Sequence, residues 1–400
     1  MRDLGQNWER ELERWIAPYL EAFRHKVRAK WAPVYLRGLL LSGERKSVQP
    51  LVERVAPGEN EQIHHFVATS IWDTEPIEVV HVGRCNKLAG GPDAHLIVDD
   101  TALPKKGRHS VGVAHQYCGA LGKEANCQCL VSLTLAREEI PVPIALRLYL
   151  PESWASDQER RAKARVPDSI SFRPKWRIAL DEIDRLLEHK ALFGDVLADA
   201  GYGMCNEFRA ELSKRKLSWT VGVLSTQTVY PASVQLRVPK RKATYGFRPR
   251  RAIPTVPSRS VQQVIADLGP EAVRSLTWRR GTKGPLSGRF ALIRVRPADG
   301  LKTGVKKFHV PGDEVWLIAE FRTDETRYYF SSLPASASPK KVVSAVKARW
   351  SCEQMHQQMK EELGLDHFEG RSWHGLHHHA VLSMVAFAFL QHIRIREKHA

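Results

Sequence analysis

Apolar residues recur at helical spacing from the start of the chain: Trp8, Leu12, Trp15, Ile16 and Leu20 mark one face of an amphipathic helix. Residues 1 to about 80 read as helical. Ser47 suits an N-cap and Pro50 is tolerated in a first turn, so a helix is predicted over Val48–Val55, ending at APGE. A second is predicted over Glu61–Trp72. Two short helices across a glycine-containing turn suggest a helix-turn-helix. From residue 94 the period changes. HLIVDDT, CQCLVSLTLA and VPIALRLYLP read as strands, and KWRIALDEIDRLLEHK as a helix with Trp176, Leu180, Ile183 and Leu187 on one side. DVLADA and WTVGVL read as two more strands, separated by a helix around Glu207–Arg215. The order β-β-β-α-β-α-β predicts an α/β layer with a mixed sheet.

Residues 226–334 break this rhythm with prolines, basic clusters and the short strands FALIRVRP, EVWLIAEF and TRYYFSS, the last two forming a hairpin that turns at Thr323–Thr326. From Pro339 the pattern is helical again, broken near Gly370. The expected organisation is an all-α N-terminal domain over 1–85, an α/β core over 90–225 and 335–400, and a β-rich insertion over 226–334.

Charge narrows the partner. With 61 Lys+Arg against 44 Asp+Glu, the formal net charge is +17, which points to a polyanion. No basic amphipathic helix favours a membrane surface, so nucleic acid is the expected partner. The N-terminus lacks an apolar signal core. The apolar run Ala380–Leu390 is too short to span a bilayer and reads as a buried helix. Six cysteines without a C-x-x-C pair fit a reduced cytoplasm; Cys127 and Cys129 read as core thiols rather than as zinc ligands.

Three carboxylates carry the candidate chemistry. Asp99 in LIVDDT and Asp199 in VLADAGYG close strand-like runs, and Glu353 in RWSCEQMHQQMKEELGLDHFEG lies on a helix. Two strand-end aspartates and a helical glutamate suit a pair of divalent ions, and such pairs cut and join phosphodiesters. Mg²⁺, with Mn²⁺ as substitute, prefers such oxygen donors. Offsets of four and seven put Arg349, Glu353 and Lys360 on one helical face, the two cations beside the carboxylate to grip phosphates. Lys105, Lys106, Arg108 and His109 follow the first aspartate and are expected to contact DNA, as are Lys240, Arg241, Lys242, Arg248, Arg250, Arg251, Arg279 and Arg280. Trp278 reads as core packing, and His374, His377, His378 and His379 as an exposed, DNA-proximal cluster.

These blocks resemble the DDE-type transposases of bacterial insertion sequences. DDTALPKKGRHSVGVAHQYCGALGKEANCQ is similar to the family's first-aspartate block, and LYLPESWASDQERRAKARVPDSISFRPK to its second block. LADAGYG is similar to the second-aspartate block, and RWSCEQMHQQMKEELGLDHFEGRSW to the glutamate block. The resemblance covers about 94–225 and 345–390, and the N-terminal block loosely. It implies an RNase H-like core in which Asp99, Asp199 and Glu353 are the catalytic metal ligands; Asp99 is preferred because the family pattern allows D or E at the next position, and Asp100 is the reserve because one sequence does not settle the register. In Y-x2-R-x3-E-x6-K the tyrosine position holds Val346, a departure from the pattern. The resemblance further implies N-terminal binding of terminal inverted repeats and a homodimer in a synaptic complex. It implies cut-and-paste transposition, in which water and then a 3′-OH is the nucleophile, by a bacterial protein working at the nucleoid. The alternatives are a nuclease that cuts without joining and a catalytically silent, transposase-derived regulator.

Overall fold

The computed structural model describes residues 7–238, 252–281, 284–300, 302–303 and 308–399. Helices α1 (Trp8–Ala22), α2 (Lys26–Leu40), α3 (Val48–Val55), α4 (Asn60–His64) and α5 (Glu75–Ala89) open the chain. Strands β1 (His95–Pro104), β2 (Ala114–Cys118), β3 (Lys123–Arg137) and β4 (Ile140–Leu148) follow, then helix α6 (Lys175–Glu188). After β5 (Asp195–Ala198) come α7 (Asn206–Lys214), β6 (Ser218–Val223) and β7 (Thr228–Pro231). Then come β8 (Arg274–Gly281), β9 (Gly284–Pro297), β10 (Val315–Phe321) and β11 (Thr326–Ser331). Helices α8 (Pro339–Ala348), α9 (Trp350–Glu361) and α10 (Trp373–His399) end it. The α/β class is as expected, and the chain divides into two compact units, Met1–Gly194 with Trp350–Ala400, and Asp195–Arg349.

The first unit is built on β3. One edge of this long strand pairs antiparallel with β1, the other with β2 near its start and β4 beyond. Side chains alternate between sheet faces, and directly opposed residues share one. Asp99 lies opposite Ser132, and Ser132 opposite Leu146. Asp100, Val131 and Arg147 form the matching row on the other face. Helix α9 packs on β1, β3 and β4, α6 on β3, and α5 and α10 on β4. In α10, Leu376 and the whole run Ala380–Met384 to Phe389 are buried, so the helix is apolar on every side and serves as core. Among the described residues no helix is long and apolar enough to cross a membrane.

The N-terminal helices do not stand apart: α5 packs on β4, α1 on α5, and α2 on α10 within this same unit. The helix Val48–Val55 is found as expected, with Ser47 at its N-cap. The expected helix Glu61–Trp72 is shorter: α4 passes into a π-helical turn, His65–Thr69, and ends before Trp72. Helices α3 and α4 pack together across the turn at Gly58, whose φ of 88° favours glycine.

In the second unit β5 and β6 run parallel, and β6 pairs antiparallel with β11, β11 with β10, and β10 with β9, giving a mixed sheet. β9 also pairs with β8 and β7. The described strands β8, β9, β10 and β11 of the β-rich stretch after residue 226 continue the sheet from β6. The hairpin predicted around Thr323–Thr326 is the β10–β11 connection.

Candidate carboxylate site

Asp99 is half-buried near the middle of β1, facing α9. An Asp99 carboxylate oxygen, the Cys352 Sγ and a His356 ring nitrogen lie within 4.8 Å of one another. Cys352 and His356, four residues apart, share the face of α9 turned to the sheet. The His356 Nε2 is 2.8 Å from the Ser132 Oγ, and the Cys352 Sγ is 3.2 Å from the Thr134 Oγ1. Glu353 directly follows Cys352, so their Cα atoms are about 3.8 Å apart. It is exposed, one helical step round from the buried Cys352 side chain. The first unit thus sets Asp99 against the helix that bears Glu353, with Cys352 and His356 as the side chains turned to the aspartate.

Asp100 points to the opposite face. Its Oδ2 accepts from the Lys175 Nζ at 2.7 Å, at the first residue of α6. Burial works against the charge on Lys175, but the Asp100 carboxylate outweighs it and raises the lysine's pKa. The Lys175 Nζ also lies 5.3 Å from the centre of the Tyr149 ring.

Asp199, in the second unit, follows β5 as N-cap of the one-turn helix Ala200–Gly203, and its Oδ1 accepts from the Tyr202 N–H at 3.2 Å. The second glycine of this block, Gly203, has a packing reason. A Cβ on Gly203 would overlap the Gly222 carbonyl and come within 2.9 Å of the Val221 Cβ, so only glycine lets the turn lie against β6. Gly203→Ala is expected to destabilise the protein by about 1–3 kcal/mol through this overlap. A denaturant midpoint equal to wild type would show that the turn can move aside.

The expected DNA-contacting cations fall into distinct settings. Lys106 and Arg108 are exposed. Lys105 is not: its Nζ donates to the Asp366 and Phe368 carbonyls at 3.0 and 2.7 Å, tying β1 to the segment after α9. Lys360 is half-buried on α9, and burial lowers its pKa. Arg349 is the C-cap of α8, whereas Glu353 and Lys360 belong to α9. The single helix expected across all three is thus divided at Arg349. Arg279 is half-buried and Arg280 exposed on β8. Lys240, Arg241, Lys242, Arg248, Arg250 and Arg251 lie outside the described residues. Trp278 packs as expected, edge-on to Phe290 with the Lys347 Nζ 4.9 Å from its ring centre.

The histidine cluster is not the exposed one expected. His378 and His379 are fully buried and His377 is largely so. The His378 nitrogens each lie 2.9 Å from a carbonyl, of Val67 and of Trp72, and its ring stacks on Trp72. His379 bonds the Tyr35 hydroxyl at 2.8 Å and His377 the Trp373 carbonyl at 2.9 Å. These rings are packing elements of α10: the neighbouring chain supplies partners for His378 and His379, and the helix's own first residue supplies one for His377. Burial pushes the pKa of each of the three down to about 4. The unfolded chain therefore binds more protons below the ordinary histidine value near 6.5. Their contribution to stability is complete above that value and is lost as pH falls towards 4. The thermal midpoint should drop over this window; a flat profile would mean the rings are not held neutral.

Cys352, His356 and Ser132 were not singled out from sequence. The available signal was Ser132 and Thr134, polar residues at alternate positions of the apolar run LVSLTLA, together with C-x3-H in the helical stretch that carries Glu353.

The profile of the DDE superfamily endonucleases matches residues 18–285, a span that contains Asp99 and Asp199 and stops before Glu353. The chain is 25% identical over 346 residues to a probable transposase for insertion sequence element IS701 from Microchaete diplosiphon, covering 86% of this chain and 77% of that protein.

Proposed function

The chain belongs to the DDE superfamily of endonucleases, and on that premise we propose that it is an insertion-sequence transposase that cuts DNA at its element's ends and joins them to a target. The observation that carries the reading is Asp99 packed against the helix that bears Glu353, in a chain whose family match also spans Asp199. In this reading the fold is an RNase H-like core. Asp99, Asp199 and Glu353 are the catalytic carboxylates; the part of Asp199 rests on its sequence block.

The donor set fits a hard cation. Three carboxylates offer only oxygen, which is what Mg²⁺ takes, with Mn²⁺ as substitute. Bound there, such ions supply Lewis-acid polarisation of the phosphodiester and activation of an oxygen nucleophile. Asp99 is the first ligand rather than Asp100, because Asp100 is turned to the other face and engaged by Lys175. Lys106, Arg108, Arg279, Arg280, Arg349 and Lys360, together with Lys240 and Arg241, neutralise phosphates, so DNA affinity falls steeply with salt. The N-terminal helices bind the terminal inverted repeats, and two copies act together on paired ends. Lys105 has a different task, holding the strand end to the chain beyond α9.

The test is cleavage of a supercoiled plasmid carrying the element's ends, with Mg²⁺ or EDTA, followed by strand transfer from pre-cut ends. Metal-dependent cutting with joined products is expected. Cutting without joining would reduce the function to a nuclease, and binding without cutting would leave a regulator.

A further inference from the structure

The carboxylate reading leaves one cluster unused. Cys352 and His356 meet Asp99 in a buried corner between α9 and the sheet, and neither is a donor that Mg²⁺ favours. We propose that Asp99, Cys352 and His356 form a site for a thiophilic divalent ion of the zinc type, which takes Asp99 out of service for DNA cleavage.

The chemistry of the corner supports this. Thiolate, imidazole and carboxylate are the donors of zinc sites, and three protein ligands leave a fourth position for water. With Zn–S near 2.3 Å and Zn–N near 2.0–2.1 Å, the sulfur–nitrogen edge of a tetrahedral site is about 3.6 Å. The Cys352 Sγ and His356 Nε2 are 3.7 Å apart. Asp99 completes the set by turning about its soft terminal torsion. One supporting partner is in place, the Thr134 hydroxyl at 3.2 Å from the sulfur, whereas the Ser132 hydroxyl, 2.8 Å from the Nε2 that would bind the ion, has to release it. On binding, the thiol proton leaves to solvent and the Nε2 lone pair passes from Ser132 to the ion. The half-buried Asp99 gives the ion its route in. Binding itself is independent of the proposed function; only its effect on cleavage rests on that reading.

The experiment titrates the reduced, full-length protein with Co²⁺ as a spectroscopic stand-in for zinc, reading the thiolate-to-cobalt charge-transfer band. Zn²⁺ is then added in competition. The band is expected in wild type, in Glu353→Gln and in Cys127→Ser. It is expected to be lost in Cys352→Ser, and Co²⁺ affinity in His356→Gln should fall by more than the ~10–100-fold that losing an outer partner costs. Near-ultraviolet circular dichroism checks that each variant is folded, and Cys352→Ala replaces the serine variant if it is not. No band in wild type, or a band that survives in Cys352→Ser, overturns the proposal and leaves a plain thiol–imidazole contact. Micromolar Zn²⁺ added over excess Mg²⁺ should then abolish plasmid cleavage. Binding confirmed without inhibition would uphold the site and instead remove Asp99 from the catalytic set.

Discussion

Asp99→Asn is expected to reduce DNA cleavage by on the order of a thousandfold or more, while Asp100→Asn, one residue along the same strand, costs less than about tenfold. The first figure follows from losing a charged ligand where metal-ion stabilisation is worth several kcal/mol and each ~1.4 kcal/mol is a factor of ten. The second follows from what Asp100 does. It pairs with Lys175 where both side chains keep about a third of their exposure, and such partly solvated pairs contribute roughly 0–1 kcal/mol. Both substitutions keep size and shape, so folding is preserved and the difference reports on which face of β1 the chemistry uses. Single-turnover cleavage at saturating Mg²⁺ measures it directly. Equal losses in the two variants would mean that the strand's two faces are not divided between catalysis and support. A larger loss in Asp100→Asn would move the first ligand to that position.

The two aspartates show what was readable in the chain and what was not. The strands β1, β3 and β4 announce themselves as long apolar runs, and the carboxylates stand out because they interrupt or end such runs. Alternation alone says that Asp99 and Asp100 face opposite ways, but not which way the helix lies. That needed the register with β3 and the packing of α9. β2 gave no signal because AHQYC does not alternate polar with apolar residues, although its burial does alternate. The polar first half of β9, GPLSGRF, hid its pairing with β8, and with it the continuity of the sheet beyond residue 226. The histidines misled for a different reason. Three adjacent imidazoles look like a polar surface, yet each can bury its ring provided its nitrogens find carbonyl or hydroxyl partners. Three of those partners, Val67, Trp72 and Tyr35, lie more than three hundred residues away. The Cys352–His356 corner escaped notice because its partners on β3 are more than two hundred residues away.

The largest expected effect on stability lies in the ion network beneath the Asp100 face. Glu78 on α5 is almost wholly buried between two guanidiniums. Arg147 on β4 bonds both of its oxygens, and the Arg185 Nη1 is 2.8 Å from its Oε2. Glu182 completes the group, accepting from the Arg147 Nε at 2.8 Å and from Arg185 at 2.9 Å. The network joins an N-terminal helix, a strand and α6, which is why the first unit includes residues that sequence reading assigned to a separate domain. Burial alone would raise the Glu78 pKa, but the charges of Arg147 and Arg185 outweigh it and hold it down to about 2. The group is lowered relative to the unfolded chain, so its contribution is complete above the ordinary glutamate value near 4.3 and is lost as pH falls from there towards 2. Removing one partner of a buried pair leaves an uncompensated charge. Glu78→Ala should therefore destabilise by about 3–5 kcal/mol, and the variant should lose the acid-dependent part of the wild-type profile below pH ~4.3. Replacing Glu78 and Arg147 together with methionine should cost much less than Glu78→Ala, because no charge is stranded. Urea midpoints across pH decide the matter. A single-variant loss below about 1 kcal/mol would place this network with solvent-screened surface pairs, and its role in joining α5 to the sheet would fall to the apolar contacts around it.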